Sequence, residues 1–373
     1  MKYAYWLHNV PGIGSGKIRH LYDEAVNAEE IYHMTLPQLR KVHGITEEDI
    51  KAIHKSQKKW DVDKEWFSLM EQGIGFVSLE QQEFPEKVRH IPNPPYALYY
   101  VGKLPDENRK SVALVGARMR SAYGSQVATE IGKVLAQNGI QVISGLARGI
   151  DRDAHEGALE GGGDTYAVLG CGVNVCYPSE NRYLYNQIIA NGGVISEYPP
   201  GTEPMAKRFP ARNRIIAGLC NCVVVVEAKE KSGSLITADF AMEQGRDVYA
   251  VPGRISDTLS QGCNRLIKQG AGALISMEDF LSDLEVLSEI SYTQLDFRKN
   301  LLEKDESLVY SLTDFRPIGV ATLVEKTGIS LSRLLEILER LESLGLIKET
   351  FTNYYIRTLL NYLYLMTMKW QNT

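Results

Sequence analysis

The sequence has no hydrophobic run long enough to cross a bilayer. Its longest stretch without a charged residue, 165–179, also contains glycine, asparagine and proline, whereas a membrane-spanning helix needs about 20 apolar residues. The opening residues, MKYAYWLHNVPGIG, hold no apolar core of the length a secretory signal requires. Cysteine is scarce, with 5 in 373 residues. Cys171 and Cys176 have four residues between them and Cys220 and Cys222 have one, so no C-x-x-C pair exists. An odd count without paired spacing points to buried thiols in a reducing cytosol rather than to disulfides. There is no H-E-x-x-H and no cluster with zinc spacing, so neither a metal nor another cofactor is expected. A G-x-S-x-G nucleophile elbow is missing as well. The segment Pro11-Gly12-Ile13-Gly14-Ser15-Gly16-Lys17 is not a phosphate loop, because Pro11 and Ile18 occupy positions that need glycine and Ser or Thr. Charge of one sign is also lacking: 41 Lys and Arg against 46 Asp and Glu give −5, which excludes an all-over basic coat. Binding depends on where charge sits rather than on its sum, so a bounded basic site remains open.

What is present is ordinary globular chemistry, 44% hydrophobic and too apolar for general disorder. The length suits two or three domains of roughly 150 residues each. The first segment contains an internal repeat. Val10, Gly12, Ile13, Ile18 and Leu21 return as Val42, Gly44, Ile45, Ile50 and Ile53, at a constant offset of 32. Each copy reads as a glycine turn followed by a helix with apolar residues three to five apart. The expectation is a helical module over 1–78, helix-hairpin-helix or SAM-like. Its turn amides either face a nucleic-acid phosphate or serve only the packing of the turn.

From 80 to 110 the chain is punctuated by proline, with one strand expected at 97–101. Short apolar strands at 111–115, 140–143, 165–169, 194–196, 222–226 and 248–251 then alternate with helices near 123–137, 152–160, 183–190, 213–219 and 234–244. This alternation predicts an α/β domain over 79–290 with a Rossmann-like, doubly wound parallel sheet. A ligand is expected outside the carboxyl ends of its strands. Beyond an acidic helical stretch at 277–289 and a polar stretch at 291–305, residues 300–360 read as three helices and a β-wing, a winged helix. Its long helix, 330–345, carries Arg333 and Arg340 against Glu336, Glu339 and Glu342, a balance of −1. A major-groove recognition helix is normally basic, so this module is expected to serve protein contact or regulation. The tail 359–373 is apolar and tyrosine-rich and suggests no function.

The candidate site residues gather at the strand ends. Gly116 and Arg118 follow the first, Ser144 and Gly145 the second. Lys207, Arg208, Phe209, Arg212, Asn213 and Arg214 precede or open a helix, and Ser232 and Gly233 open another. Glycine turns admit close backbone approach, helix-start amides attract anions, and arginine supplies a phosphate fork. Within 203–214 four basic residues face one acidic residue, Glu203, for a local balance of +3 around Phe209. Cations interleaved with an aromatic suit single-stranded nucleic acid. The alternative is a core Phe209 with arginines paired to nearby acids. His155 with Asp151, Asp153 and Ser144 only faintly resembles a triad. We read His155 as structural and Asp151 as a cap on its helix.

Taken together, the motifs resemble one family. They are Val115-Gly116-Ala117-Arg118, Ser144-Gly145-Leu146-Ala147-Arg148-Gly149-Ile150-Asp151, Leu169-Gly170-Cys171-Gly172 leading to Tyr177-Pro178, and Ser196-Glu197-Tyr198-Pro199. They continue as Phe209-Pro210-Ala211-Arg212-Asn213-Arg214, Ser232-Gly233-Ser234 and Val251-Pro252-Gly253. The chain over about 160 residues resembles the DprA/Smf family of bacterial DNA-processing proteins. Ala117 departs from the serine common there, which removes one hydroxyl but keeps the arginine. The resemblance implies a cytoplasmic, non-enzymatic protein of natural transformation and competence. Such proteins bind and protect incoming single-stranded DNA, load RecA recombinase, and dimerise through the central domain. It assigns phosphate contacts to Arg118, Lys207 and Arg212, base stacking to Phe209, and the rest of the pocket to Gly116, Ser144, Gly145 and Arg214. The competing reading is a nucleotide-binding or nucleotide-hydrolysing enzyme of the Rossmann-like phosphoribohydrolase group, with Glu227 as its acidic residue. An enzyme needs a closed base site, whereas a DNA binder needs an open groove.

Overall fold

The structure, a computed structural model, describes residues 1–284, 302–314 and 316–357. The polar stretch 291–305 falls largely outside these residues, and the tail 359–373 entirely so. The chain divides into two compact units, one of residues 1–120 and 131–275, the other of residues 121–130 and 276–373.

In the first unit, six helices come before any strand: α1 Lys2–His8, α2 Ser15–Tyr22, α3 Ala28–His33, α4 Leu36–Leu39, α5 Glu47–Lys59 and α6 Val62–Glu71. The repeat takes physical form in the two turns. Gly12 and Gly44 sit at φ +81° and +82°, a left-handed conformation that glycine adopts at no steric cost. Val10, Ile13, Ile18, Leu21, Val42, Ile50 and Ile53 are buried. The two copies also meet: Lys17 Nζ donates to Asp49 Oδ1 at 2.6 Å, and these residues are themselves 32 apart.

The sheet follows with β1 Gly75–Ser78, α7 Glu86–Arg89, β2 Ala97–Gly102, β3 Ser111–Val115, α8 Ala122–Gln137, β4 Gln141–Ser144, α9 Ile150–Glu160 and β5 Thr165–Val168. It continues with α10 Arg182–Asn191, β6 Gly192–Ser196, α11 Arg208–Gly218, β7 Cys222–Val225, α12 Gly233–Glu243, β8 Asp247–Ala250, α13 Gln261–Lys268 and β9 Gly272–Ala273. The strand order is β1-β2-β6-β5-β4-β3-β7-β8-β9. From β6 to β9 every pairing is parallel, with β3 flanked by β4 and β7. The chain therefore winds one way from β3 to β6 and returns to the other side of β3 at β7. That reversal is the crevice where α/β sheets bind ligands.

Two features differ from the expected parallel sheet and helix bounds. β1 and β2 run antiparallel at one edge, and the sequence pattern does not predict β1. It lies inside 1–78, so that segment does not end where the sheet begins. The helices and the sheet share one core instead: Trp6, Leu21, Ile31 and Leu69 cluster with Tyr99, Ala167 and Val194. Leu98, Tyr166, Val168 and Ile195 belong to the core on the opposite face. Side chains alternate across a strand, so neighbours on β2, β5 and β6 bury into different layers.

Helix α11 is the second difference. It begins at Arg208, five residues before the expected start at 213, which moves Phe209 and Arg212 from a loop onto a helix. Pro210 suggests a break, but in the first turn of a helix the missing N–H forfeits no bond.

The second unit contains helix Met277–Asp283 and, further on, helices Lys304–Leu312, Val320–Thr327 and Leu331–Ser343. Its sheet has β10 Ile318–Gly319, β11 Ile347–Phe351 and β12 Tyr354–Arg357 in the order β10-β12-β11. Val309, Leu323, Leu334, Leu338, Leu341 and Tyr355 form its core. Arg340 Nε lies 3.2 Å from the buried Glu306 carboxylate, and Arg333 pairs with Glu303 and Glu336 at 3.1 and 3.0 Å, so both arginines of the long helix are spent internally. Among the described residues no helix is long and apolar enough to cross a membrane. All five cysteines are buried and unpaired with one another.

Candidate nucleic-acid interface

The site is built where the turns after β3, β4 and β5 meet the start of α11. The turn after β3 carries Arg118, exposed to solvent. It is held against α9 by Ile150 N donating to Ala117 O and by Arg120, whose guanidinium grips the buried Asp153 carboxylate at 2.5 and 3.2 Å.

The turn after β4 is fixed at nearly every polar group. Ser144 Oγ donates to Leu114 O at 2.5 Å, and Gly145 N donates to Asp151 Oδ2 at 3.2 Å. Arg212 Nη1 donates to Gly145 O at 2.9 Å and also to Val168 O. Asn181 Nδ2 donates to Leu146 O at 3.0 Å. Leu146 sits at φ +54°, an unfavourable conformation for a branched side chain that this surrounding network holds in place. Asp151 therefore does not cap its helix. Gly149 stands at the N-cap, and the carboxylate turns back onto the β4 turn. Burial pushes the Asp151 carboxyl upward, opposed by the Arg212 guanidinium. Burial likewise lowers Arg212 to about 10, which leaves it protonated at neutral pH.

A small cavity of about 60 Å³ opens among these turns, lined by Arg118, Gly145, Ala147, Arg148, Tyr177, Pro178, Phe209 and Arg212. The Arg118 guanidinium carbon stands 5.8 Å from the Phe209 ring centroid, close enough for cation–π attraction. Tyr177 lies against the same ring, with centroids 5.4 Å apart. Arg148 forms a bidentate pair with Glu180 at 2.6 and 2.7 Å.

Of the residues singled out from sequence, Arg118, Gly145, Phe209 and Arg212 meet at this cavity. Two assignments change in character. Arg212 is only 4% exposed and its guanidinium is committed to backbone carbonyls, so its phosphate role gives way to holding the β4 turn. Arg214 pairs with Glu197 at 2.8 and 2.5 Å and donates to Asn93 O, which turns it away from a ligand. Gly116 packs on Ile150, and Ser144 is fully buried. Lys207 is exposed at the N-cap position of α11. Ser232 caps α12, and Asn213 Nδ2 reaches Gly233 O at 3.3 Å. Sequence reasoning missed Arg148 and Tyr177 as lining residues. Both stand in the quoted motifs, but no spacing rule brings them to α11.

The histidine beside the site is structural. His155 is fully buried, with Nδ1 2.7 Å from Thr165 Oγ1, and burial lowers its pKa to about 3. The unfolded imidazole takes up a proton near pH 6.5, whereas the folded one resists it until about 3. Between these values acidification favours the unfolded chain, so stability falls as pH drops below 6.5. The expected cost by pH 5 is about 2 kcal/mol from this group. Urea unfolding at pH 7 and pH 5 should show a smaller pH-dependent loss in His155→Gln. An equal loss would clear His155 of the effect. Among the described residues no cluster of three His, Cys, Asp or Glu could hold a metal ion.

Comparison with known proteins agrees with this architecture. Residues 75–285 match the profile of the family described as DNA recombination-mediator protein A. Protein Smf of Synechocystis sp. is 35% identical over 315 residues, covering 82% of this chain and 78% of the relative. The X-ray structure of DNA processing protein A (DprA) from Streptococcus pneumoniae superposes with a TM-score of 0.67 at 35% identity, covering 76% of this chain and 98% of that one. A DprA structure from Helicobacter pylori, described as showing a single-stranded DNA binding mode, gives a TM-score of 0.51 at 30% identity over 56% of this chain and 95% of that one. With a family profile that spans more than half of the chain and a relative 35% identical over 82% of it, this chain belongs to the DNA recombination-mediator protein A family, the DprA/Smf proteins.

Proposed function

We propose that this chain binds single-stranded DNA at the cavity between the β3, β4 and β5 turns. It would protect incoming DNA during natural transformation, in the cytoplasm, and pass it to RecA recombinase as a homodimer through the sheet domain, without catalysing a reaction. The observation that carries the reading is Arg118, an exposed guanidinium over a ring surface that includes Phe209, beside a rigid glycine turn. A cation for the backbone next to a ring for a base is the minimum that single-strand binding needs. Lys207, exposed at the start of α11, supplies a second cation for the strand. The single-stranded DNA binding mode described for the Helicobacter pylori relative points the same way.

The cavity's size speaks against the enzymatic alternative. About 60 Å³ is far below the roughly 300–1,000 Å³ of sites that enclose a small molecule. A strand that stays largely outside, with one group inserted, fits better. The second unit is proposed as a winged helix whose surface meets protein rather than the major groove. The repeat-bearing helices are proposed as a helix-hairpin-helix or SAM-like module.

Electrophoretic shift of the full chain with single- and double-stranded DNA across a salt series tests the reading. Single strands should bind more tightly, and log affinity should fall linearly with log salt, by about 0.7 per phosphate neutralised. No single-strand complex at low salt would sink the proposal.

A further inference from the structure

Phe209 has little ring surface left to offer. Gly170 closes against it so tightly that a β-carbon there would lie 2.9 Å from the ring. The guanidinium carbons of Arg118 and Arg212 stand 5.8 and 6.0 Å from its centroid. Tyr177 covers a further part, with centroids 5.4 Å apart and planes tilted by 32°. A base inserted between two rings needs a separation of about 3.5–4.0 Å on each side. The 5.4 Å between these rings leaves no room for one.

Tyr177 is the opposite case. It is 46% exposed at the mouth of the cavity, and its hydroxyl makes no hydrogen bond among the described residues. Its backbone is nonetheless anchored. Pro178 is buried and its carbonyl accepts from Asn181 N at 3.1 Å, while the Asn181 side chain holds the β4 turn. A rigid aromatic with a free apolar face and a polar tip is suited to contact with a partner at small entropic cost.

We propose that Tyr177 is the ring on which a base of single-stranded nucleic acid stacks at this cleft, with Phe209 as its backing. The inference rests on the nucleic-acid reading above and specifies which ring faces the ligand. Phe209 then sets the tilt of Tyr177 and the position of Arg118, and acts on the ligand through them.

The test uses the full chain with a labelled oligothymidylate and with an abasic deoxyribose-phosphate oligomer of equal length. Tyr177→Leu should weaken oligothymidylate binding roughly 5- to 150-fold, the range for loss of one stacked base. Affinity for the abasic oligomer, the salt slope and the melting temperature should stay at wild-type values, and Tyr177→Trp should restore the affinity. Wild-type binding by Tyr177→Leu, or an equal loss on the abasic oligomer, would overturn the inference while leaving the nucleic-acid reading standing. If wild type binds neither oligomer, that reading fails and the inference falls with it.

Discussion

Arg118→Ala is expected to weaken single-stranded DNA binding roughly 10- to 150-fold at physiological ionic strength, with the fold intact. That range corresponds to the loss of about 1.5–3 kcal/mol for a hydrogen bond to a charged group. Arg118 is exposed and makes no ion pair among the described residues, and its one close contact is the cation–π approach to Phe209, so the fold should tolerate its loss. Its neighbour Arg120, two residues on, carries the structural load by holding Asp153. Fluorescence anisotropy with oligothymidylate checks the loss, and the salt slope should become shallower as a phosphate contact disappears. Unchanged affinity would remove Arg118 from the interface.

Arg212→Met should do the reverse, damaging stability first. Its guanidinium is buried, bonds Gly145 O and Val168 O, and faces the buried Asp151. Removing this buried cation strands the two carbonyls and leaves the Asp151 carboxyl without the positive charge that faces it, at a cost of about 3–5 kcal/mol. At roughly 2–4 °C per kcal/mol for a domain of this size, melting should fall by about 6–20 °C. The double variant Arg212→Met with Asp151→Asn should recover part of that, because the stranded carboxylate is gone. Gly145→Ala should resemble the single variant, since its β-carbon would lie 2.4 Å from Arg212 Nη2. An Arg212→Met protein that melts like wild type but no longer binds DNA would return this arginine to the ligand.

The contrast between these arginines shows how much of the site was legible in the chain. The run from Lys207 to Arg214 reads as one basic patch because charge is all that sequence displays. Helix α11 sorts it by face. Arg212 turns inward to the β4 turn, Arg214 finds Glu197 on the turn after β6, and Lys207 stays at the open end. Those partners come from strand ends far apart in sequence, so no local pattern could have announced them. Tyr177 escaped notice for the same reason: its neighbour Phe209 is brought to it only by the sheet.

By itself the sequence determined the parallel α/β core, the strand-end location of the candidate site and the family. Continuous apolar strands, glycine turns and their motifs are local properties that survive without coordinates. The 32-residue repeat belongs with them, since each copy carries its own turn glycine. Only the tertiary structure decided that β1 joins the sheet antiparallel, that the first helices share its core, and which charges remain free for a ligand. Burial and pairing are properties of what lies opposite a residue, and the chain states them only once it has folded.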